Sequence, residues 1–172
     1  MVYVFTMNIL ICGLPGSGKT QLLAKLKDLK EFKAYSFLDL DAEILNRYHQ
    51  KDGKLGEWIE AVGWAEFRDK ERSLLEELLN SSKQVISLGG GALSEDFLQF
   101  YLGAPNVQFI WLECSPEESW LRIREDSNRP LVKKGYEQVL AVLRERERVG
   151  RKIPIRVSQD EQIAQVINKL NL

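Results

Sequence analysis

The segment Gly13-Leu14-Pro15-Gly16-Ser17-Gly18-Lys19-Thr20 has the spacing G-x-x-x-x-G-K-T, that of a phosphate-binding loop. Its glycines let consecutive backbone N–H groups curl toward an anion, and a helix starting at its end adds a favourable dipole. Lys19 can reach the β- and γ-phosphates of a bound nucleotide, and Thr20 can ligate Mg²⁺. Gly13, Gly16, Ser17, Gly18, Lys19, Thr20 and Gln21 are thus candidate nucleotide-binding residues. The loop does not name the acceptor. No N-K-x-D segment, which a GTPase would use to select its base, occurs in the chain.

Five further groups could serve the acceptor side. Asp39 and Asp41 stand two apart after an apolar run. One suits an outer contact to Mg²⁺ and the other can orient an acceptor hydroxyl. The same pair also suits a helix N-cap, and the two roles can coexist. Arg68 and Glu71 lie one turn apart beside an apolar helix face, where charges are seldom left without partners. Either they form a structural pair, or Glu71 holds Arg68 toward a carboxylate ligand. Gly89, Gly90 and Gly91 follow another apolar run and expose backbone donors to a close ligand. Arg129 sits in a polar stretch, where a closing loop could bring it to a transferring phosphoryl group. Of Arg144, Arg146 and Arg148, Arg146 lies nearest the apolar stripe Tyr136, Val139, Leu140 and Leu143 by helical angle, and the other two are read as solvated.

The elements that position these groups alternate. Strands are predicted at residues 8–12, 35–38, 85–88, 107–112 and 155–157, each a continuous apolar run suited to burial on both faces. Helical patterns lie between them, including 21–29, 64–79 with Trp64, Phe67, Leu74, Leu75 and Leu78 on one face, and 136–150. Ser115-Pro116-Glu117-Glu118 is a capping box that opens another helix. Alternation of this kind implies an α/β fold with right-handed crossovers, a parallel sheet and a ligand beyond the carboxyl ends of the strands.

Composition sets the outer bounds. The 172 residues suit one domain of ordinary globular make-up, with 44% hydrophobic and 28% charged residues. Lys and Arg (24) balance Asp and Glu (25), which speaks against a nucleic-acid partner. Eight of the 11 arginines nevertheless fall between Arg122 and Arg156. No apolar run reaches membrane-spanning length, so no membrane partner is expected. Cys12 and Cys114 lack metal or disulfide spacing and are expected to be buried thiols, and His49 to be solvated. Residues 1–6 are read as an extension to a domain over 7–172.

Taken in order, the loop, Asp39-x-Asp41, Phe67-Arg68 with Glu71, Leu88-Gly89-Gly90-Gly91-Ala92, Arg129-Pro130-Leu131 and the helix bearing Arg146 resemble the shikimate kinase family. The resemblance implies a three-layer P-loop kinase fold of the nucleoside-monophosphate-kinase type, with a five-stranded parallel sheet in the order 2-3-1-4-5. It implies a substrate-binding helical region at about 44–80 and a lid at about 124–135. The implied activity is ATP-dependent phosphorylation of shikimate to shikimate 3-phosphate, with Mg²⁺, in the biosynthesis of chorismate and the aromatic amino acids. By the same resemblance, Asp41 holds the acceptor hydroxyls and Asp39 lies near Mg²⁺. Arg68 and Arg146 clamp the substrate carboxylate, Gly90 and Gly91 offer N–H groups, Arg129 reaches the phosphates, and Arg122 packs on adenine. The implied enzyme is a cytoplasmic monomer that acts on two small molecules, ATP and shikimate.

The chain departs from the family's pattern in places. Gly150 stands where a Tyr is usual, the stretch 53–68 is about one residue short, and Trp58 is taken as the aromatic lining the pocket. A gluconate-kinase-like enzyme and a non-catalytic regulator of the same fold are the alternatives. The regulator would be expected to have lost Lys19, Asp41, Arg68 or Arg129, all of which are present.

Overall fold

Strand β1 (Asn8–Gly13) is buried along its whole length, with Ile9, Leu10 and Ile11 fully shielded from solvent. A strand that is apolar on both faces must be covered on both, so it belongs at the centre of a sheet. It pairs in parallel with β3 (Gln84–Ser87) on one side and β4 (Val107–Leu112) on the other. β2 (Ser36–Asp39) adds to β3, and β5 (Ile155–Val157) adds to β4, both in parallel. The order β2-β3-β1-β4-β5 is the one expected. The computed structural model describes residues 7–49, 53–126, 128–158 and 163–170. The extension read at 1–6 lies outside them.

Helices cover both faces, and alternate residues of β1 separate two cores. On one face Leu10 and Cys12 pack with Trp111, Leu74 and Leu75 of α4 (Trp64–Leu79), and Val139 and Leu143 of α7 (Tyr136–Gly150). On the other, Ile9 and Ile11 pack with Leu22 and Leu26 of α1 (Lys19–Lys27), and with Val166 and Leu170 of α8 (Ile163–Leu170). The remaining helices are α2 (Leu40–Tyr48), α3 (Leu55–Val62), α5 (Glu95–Tyr101) and α6 (Pro116–Ile123).

Helices α4 and α7 have the bounds their periodicity predicts. Helix α1 starts at Lys19 rather than residue 21, because Gly18 in a left-handed conformation (φ 94°) can serve as its N-cap. The box at α6 forms as expected: Ser115 Oγ accepts from Glu118 N–H at 3.2 Å, and the Glu118 carboxylate accepts from Ser115 N–H at 3.0 Å. The faces of α4 and α7 differ slightly from expectation. Leu79 rather than Leu78 is buried on α4, while Trp64 is 41% and Tyr136 46% exposed at the two helix starts. Both thiols are buried and free, and His49 is exposed.

Candidate active site

The phosphate loop joins β1 to α1 at the carboxyl end of the central strand. Gly16 (φ 73°) and Gly18 (φ 94°) take left-handed backbone angles that L side chains resist, which lets the loop curl. The loop is fastened from outside by α6. Ser119 Oγ donates to the Pro15 carbonyl at 2.7 Å, and Arg122 Nη1 donates to the Gly16 carbonyl at 3.0 Å. Lys19 Nζ donates to the carbonyls of Gly13 (3.0 Å) and Leu14 (2.9 Å), so its ammonium already sits inside the loop. Burial lowers its pKa to about 8, against the opposing pull of Asp41. Behind it, burial pushes the Cys12 thiol up to about 12, so Cys12 stays neutral as a packing residue. Gln21 is exposed in the first turn of α1.

Asp39 closes β2 and caps α2, its carboxylate accepting from Ala42 N–H at 3.3 Å. Its other oxygen accepts from Thr20 Oγ1 at 3.4 Å. The capping and site readings of this residue therefore hold together. A hydroxyl and a carboxylate side by side are hard oxygen donors of the kind Mg²⁺ takes when nucleotide phosphates and water supply its other ligands. Asp41, two residues on, lies against the glycine triplet: a Cβ on Gly89 would be 2.5 Å from Asp41 Oδ1. Burial raises its pKa, and Asp39 beside it acts in the same direction, while Lys19 and Arg129 oppose.

The two arginines meet across the triplet. A Cβ on Gly91 would collide with Arg68 Nη2 and lie 2.7 Å from Arg146 Nη2. Arg68 Nη1 donates to Glu71 Oε2, and Glu71 is only 3% exposed. Glu71 Oε1 has no hydrogen-bond partner among the described residues. Burial raises the Glu71 pKa, with Arg68 opposing. Arg146 makes no hydrogen bond or ion pair with the described residues. Burial, helped by the repulsion of Arg68, lowers its pKa to about 10. Arg144 and Arg148 point elsewhere, into exposed pairs with Glu117 (3.0 Å) and with Glu95 (2.8 Å) and Glu145 (2.7 Å). On the triplet, Ala92 N–H is taken by Gly89 O at 3.0 Å, while the N–H groups of Gly90 and Gly91 have no acceptor among the described residues.

These groups surround a cleft of about 280 Å³, roofed by Asn128 to Leu131. Arg129 Nε donates to Asp126 Oδ2 at 2.8 Å, and Leu131 of the predicted lid is buried in the core. The lid thus buries more than its polar sequence suggests. It rests on Gly56 of α3, where any Cβ would collide with the Asn128 carbonyl, and Lys133 pairs with Glu60.

The expectation for Trp58 is corrected. Its ring stacks on Tyr48 at 6.1 Å and lies in the core, 6% exposed, whereas Trp64 and Phe67 line the cleft. The packing of α3 against α4 turns Trp58 inward, against Phe67 and onto Tyr48 of α2. Sequence reasoning missed Ile59, Leu55 and Gly56 on the α3 wall, and Ser119 beneath the loop. The period of α3 could have marked Leu55 and Ile59 as one face, but nothing local marks Ser119. Gly150 packs on the Trp111 ring, leaving no room for a Cβ. The bulk that the family's usual Tyr would bring at 150 is met here by an indole from β4.

The shikimate kinase family profile matches residues 15–171. A shikimate kinase of Persephonella marina is 31% identical, over 95% of this chain and 96% of its own length. The crystal structure of shikimate kinase from Aquifex aeolicus superimposes with a TM-score of 0.77 at 25% identity, over 96% of this chain and 94% of that one. Shikimate kinase from Acinetobacter baumannii, solved in complex with shikimate, gives 0.76 at 26% identity, over 97% and 94%.

Proposed function

The chain belongs to the shikimate kinase family, and from that premise we propose that it transfers the γ-phosphoryl group of ATP to a ring hydroxyl of shikimate in this cleft. The product, shikimate 3-phosphate, feeds chorismate and aromatic amino-acid biosynthesis. The observation that carries the assignment of roles is the meeting of Arg68 and Arg146 over Gly91, with Asp41 two glycines away at Gly89. Two guanidinium groups converging on one point fit a carboxylate, and a carboxylate base nearby fits a hydroxyl on the same small ring.

In this reading Arg68 and Arg146 hold the acceptor carboxylate, and the free N–H groups of Gly90 and Gly91 support the ring. Asp41 accepts the hydrogen bond of the attacking hydroxyl and takes its proton as the new P–O bond forms. The bond between the β,γ-bridging oxygen and the γ-phosphorus breaks, and ADP leaves. Lys19 turns from the Gly13 and Leu14 carbonyls to the phosphates, and Arg129 on the lid meets the transferring group. Arg122, already over Gly16, packs on adenine. Thr20 and Asp39 would hold Mg²⁺, which supplies charge neutralisation on the phosphate oxygens when bound.

Residues 7–172 form the kinase unit, with substrate-binding region 44–80 and lid 124–135. The enzyme proposed is a cytoplasmic monomer. Among the described residues no helix is long and apolar enough to cross a membrane. ADP release measured with shikimate, gluconate and quinate tests the assignment. Shikimate should be the preferred acceptor by a wide margin in kcat/KM, and preference for gluconate would overturn it.

A further inference from the structure

Trp64 opens α4 at the mouth of the cleft and is 41% exposed. The Arg68 guanidinium carbon lies 5.2 Å from its ring centroid and 4.9 Å from that of Phe67. The two rings meet edge to face at 5.9 Å and 86°, so they form a corner that holds the guanidinium on two sides. Phe67 is 2% exposed and fixed in the core. Of the pair, only Trp64 has surface left to cover a ligand.

The donors of Arg68 are divided to match. Nη1 is committed to Glu71, while Nη2 points to the space over Gly91. A second carboxylate partner in place of the indole would compete for Nη2. An aromatic face restrains the guanidinium without using a donor.

We propose that Trp64 is a positioning and specificity residue for the acceptor. Its indole face holds Arg68 with Nη2 presented to the cleft, and it shields the ion pair that forms there with an acceptor carboxylate. This rests on the reading of Arg68 as a carboxylate ligand.

The test compares Trp64→Phe and Trp64→Leu with Arg68→Lys in the full-length protein. It uses kcat and KM for shikimate and for ATP, together with shikimate binding measured by calorimetry without nucleotide. Leu keeps an apolar side chain but has no ring face, and at a part-exposed helix start neither change threatens the fold. Trp64→Leu should raise the KM and Kd for shikimate about five- to tenfold, the usual scale of a partly desolvated cation–ring contact. In that variant the ATP KM should hold, and kcat should stay within about twofold of wild type. Trp64→Phe should recover most of the loss. Equal effects of Leu and Phe would overturn the proposal by reducing Trp64 to an apolar cover. Losses in kcat and ATP KM that parallel the shikimate KM would overturn it as a structural effect. A raised shikimate KM in Arg68→Lys with none in Trp64→Leu overturns the role of Trp64 alone. An unchanged KM in Arg68→Lys overturns the clamp, and the role of Trp64 with it.

Discussion

Arg68 on α4 and Arg146 on α7 aim their Nη2 atoms at one point, the place a side chain on Gly91 would fill. Bringing two cations together over a glycine costs stability, since like charges repel most where water is excluded. Glu71 pairs with Arg68 and acts on Arg146 only through space, and Arg146 makes no ion pair with the described residues. The site therefore holds unbalanced positive charge that an anionic acceptor would neutralise.

Arg146→Met should trade function for stability. Met fills similar space without the buried charge, so the ligand-free protein should gain about 1 kcal/mol, or about 2–4 °C in Tm for a chain of this size. Shikimate binding should weaken by about tenfold or more, through loss of a charge-assisted contact. Thermal melts with and without shikimate check both halves. A lower Tm in the variant would show that Arg146 is held by contacts that stabilise it.

Lys19 should take up a proton when nucleotide binds. With its pKa lowered to about 8, roughly a quarter of it is protonated at pH 8.5 in the free protein. Phosphate charge raises the pKa and drives protonation, so ATP binding with Mg²⁺ at pH 8.5 should absorb about 0.7 proton. Calorimetry in two buffers of different ionisation enthalpy reads the uptake directly. Lys19→Met should abolish it, and a wild-type protein without buffer dependence would contradict the buried, depressed ammonium.

The contact between Gly150 and Trp111 fixes how closely α7 lies on the sheet, and Arg146 projects from the same helix one turn earlier. Gly150→Ala should cost about 1–3 kcal/mol by overpacking. Gly150→Ala combined with Trp111→Phe should cost less than the sum of the two single changes. Chemical denaturation across this double-mutant cycle measures the coupling. Additive costs would show that the ring and the glycine do not constrain each other.

How much of this was legible follows from where each constraint lies. The phosphate loop was plain because its glycines, Lys19 and Thr20 are adjacent in sequence and their spacing is itself the geometry. Arg146 could be ranked ahead of Arg144 and Arg148, though not chosen outright, because it lies nearest by helical angle to the stripe of Tyr136, Val139, Leu140 and Leu143. Trp58 and Trp64 could not be told apart, since which ring faces the cleft depends on how α3 and α4 pack. That packing turns Trp58 onto Tyr48 and leaves Trp64 over Arg68. The lid's seat was hidden for a related reason: Gly56 meets the Asn128 carbonyl from far along the chain, and Leu131 reaches the core from a polar stretch.

The clamp is tested most directly by comparing phosphoryl transfer to shikimate and to its methyl ester, which keeps the ring hydroxyls, loses the negative charge and adds one methyl group. If Arg68 and Arg146 bind the carboxylate, kcat/KM for the ester should be lower by about 100-fold or more, as two charge-assisted contacts require. The KM for ATP should be the same with either acceptor. An ester phosphorylated as efficiently as the acid would contradict the clamp.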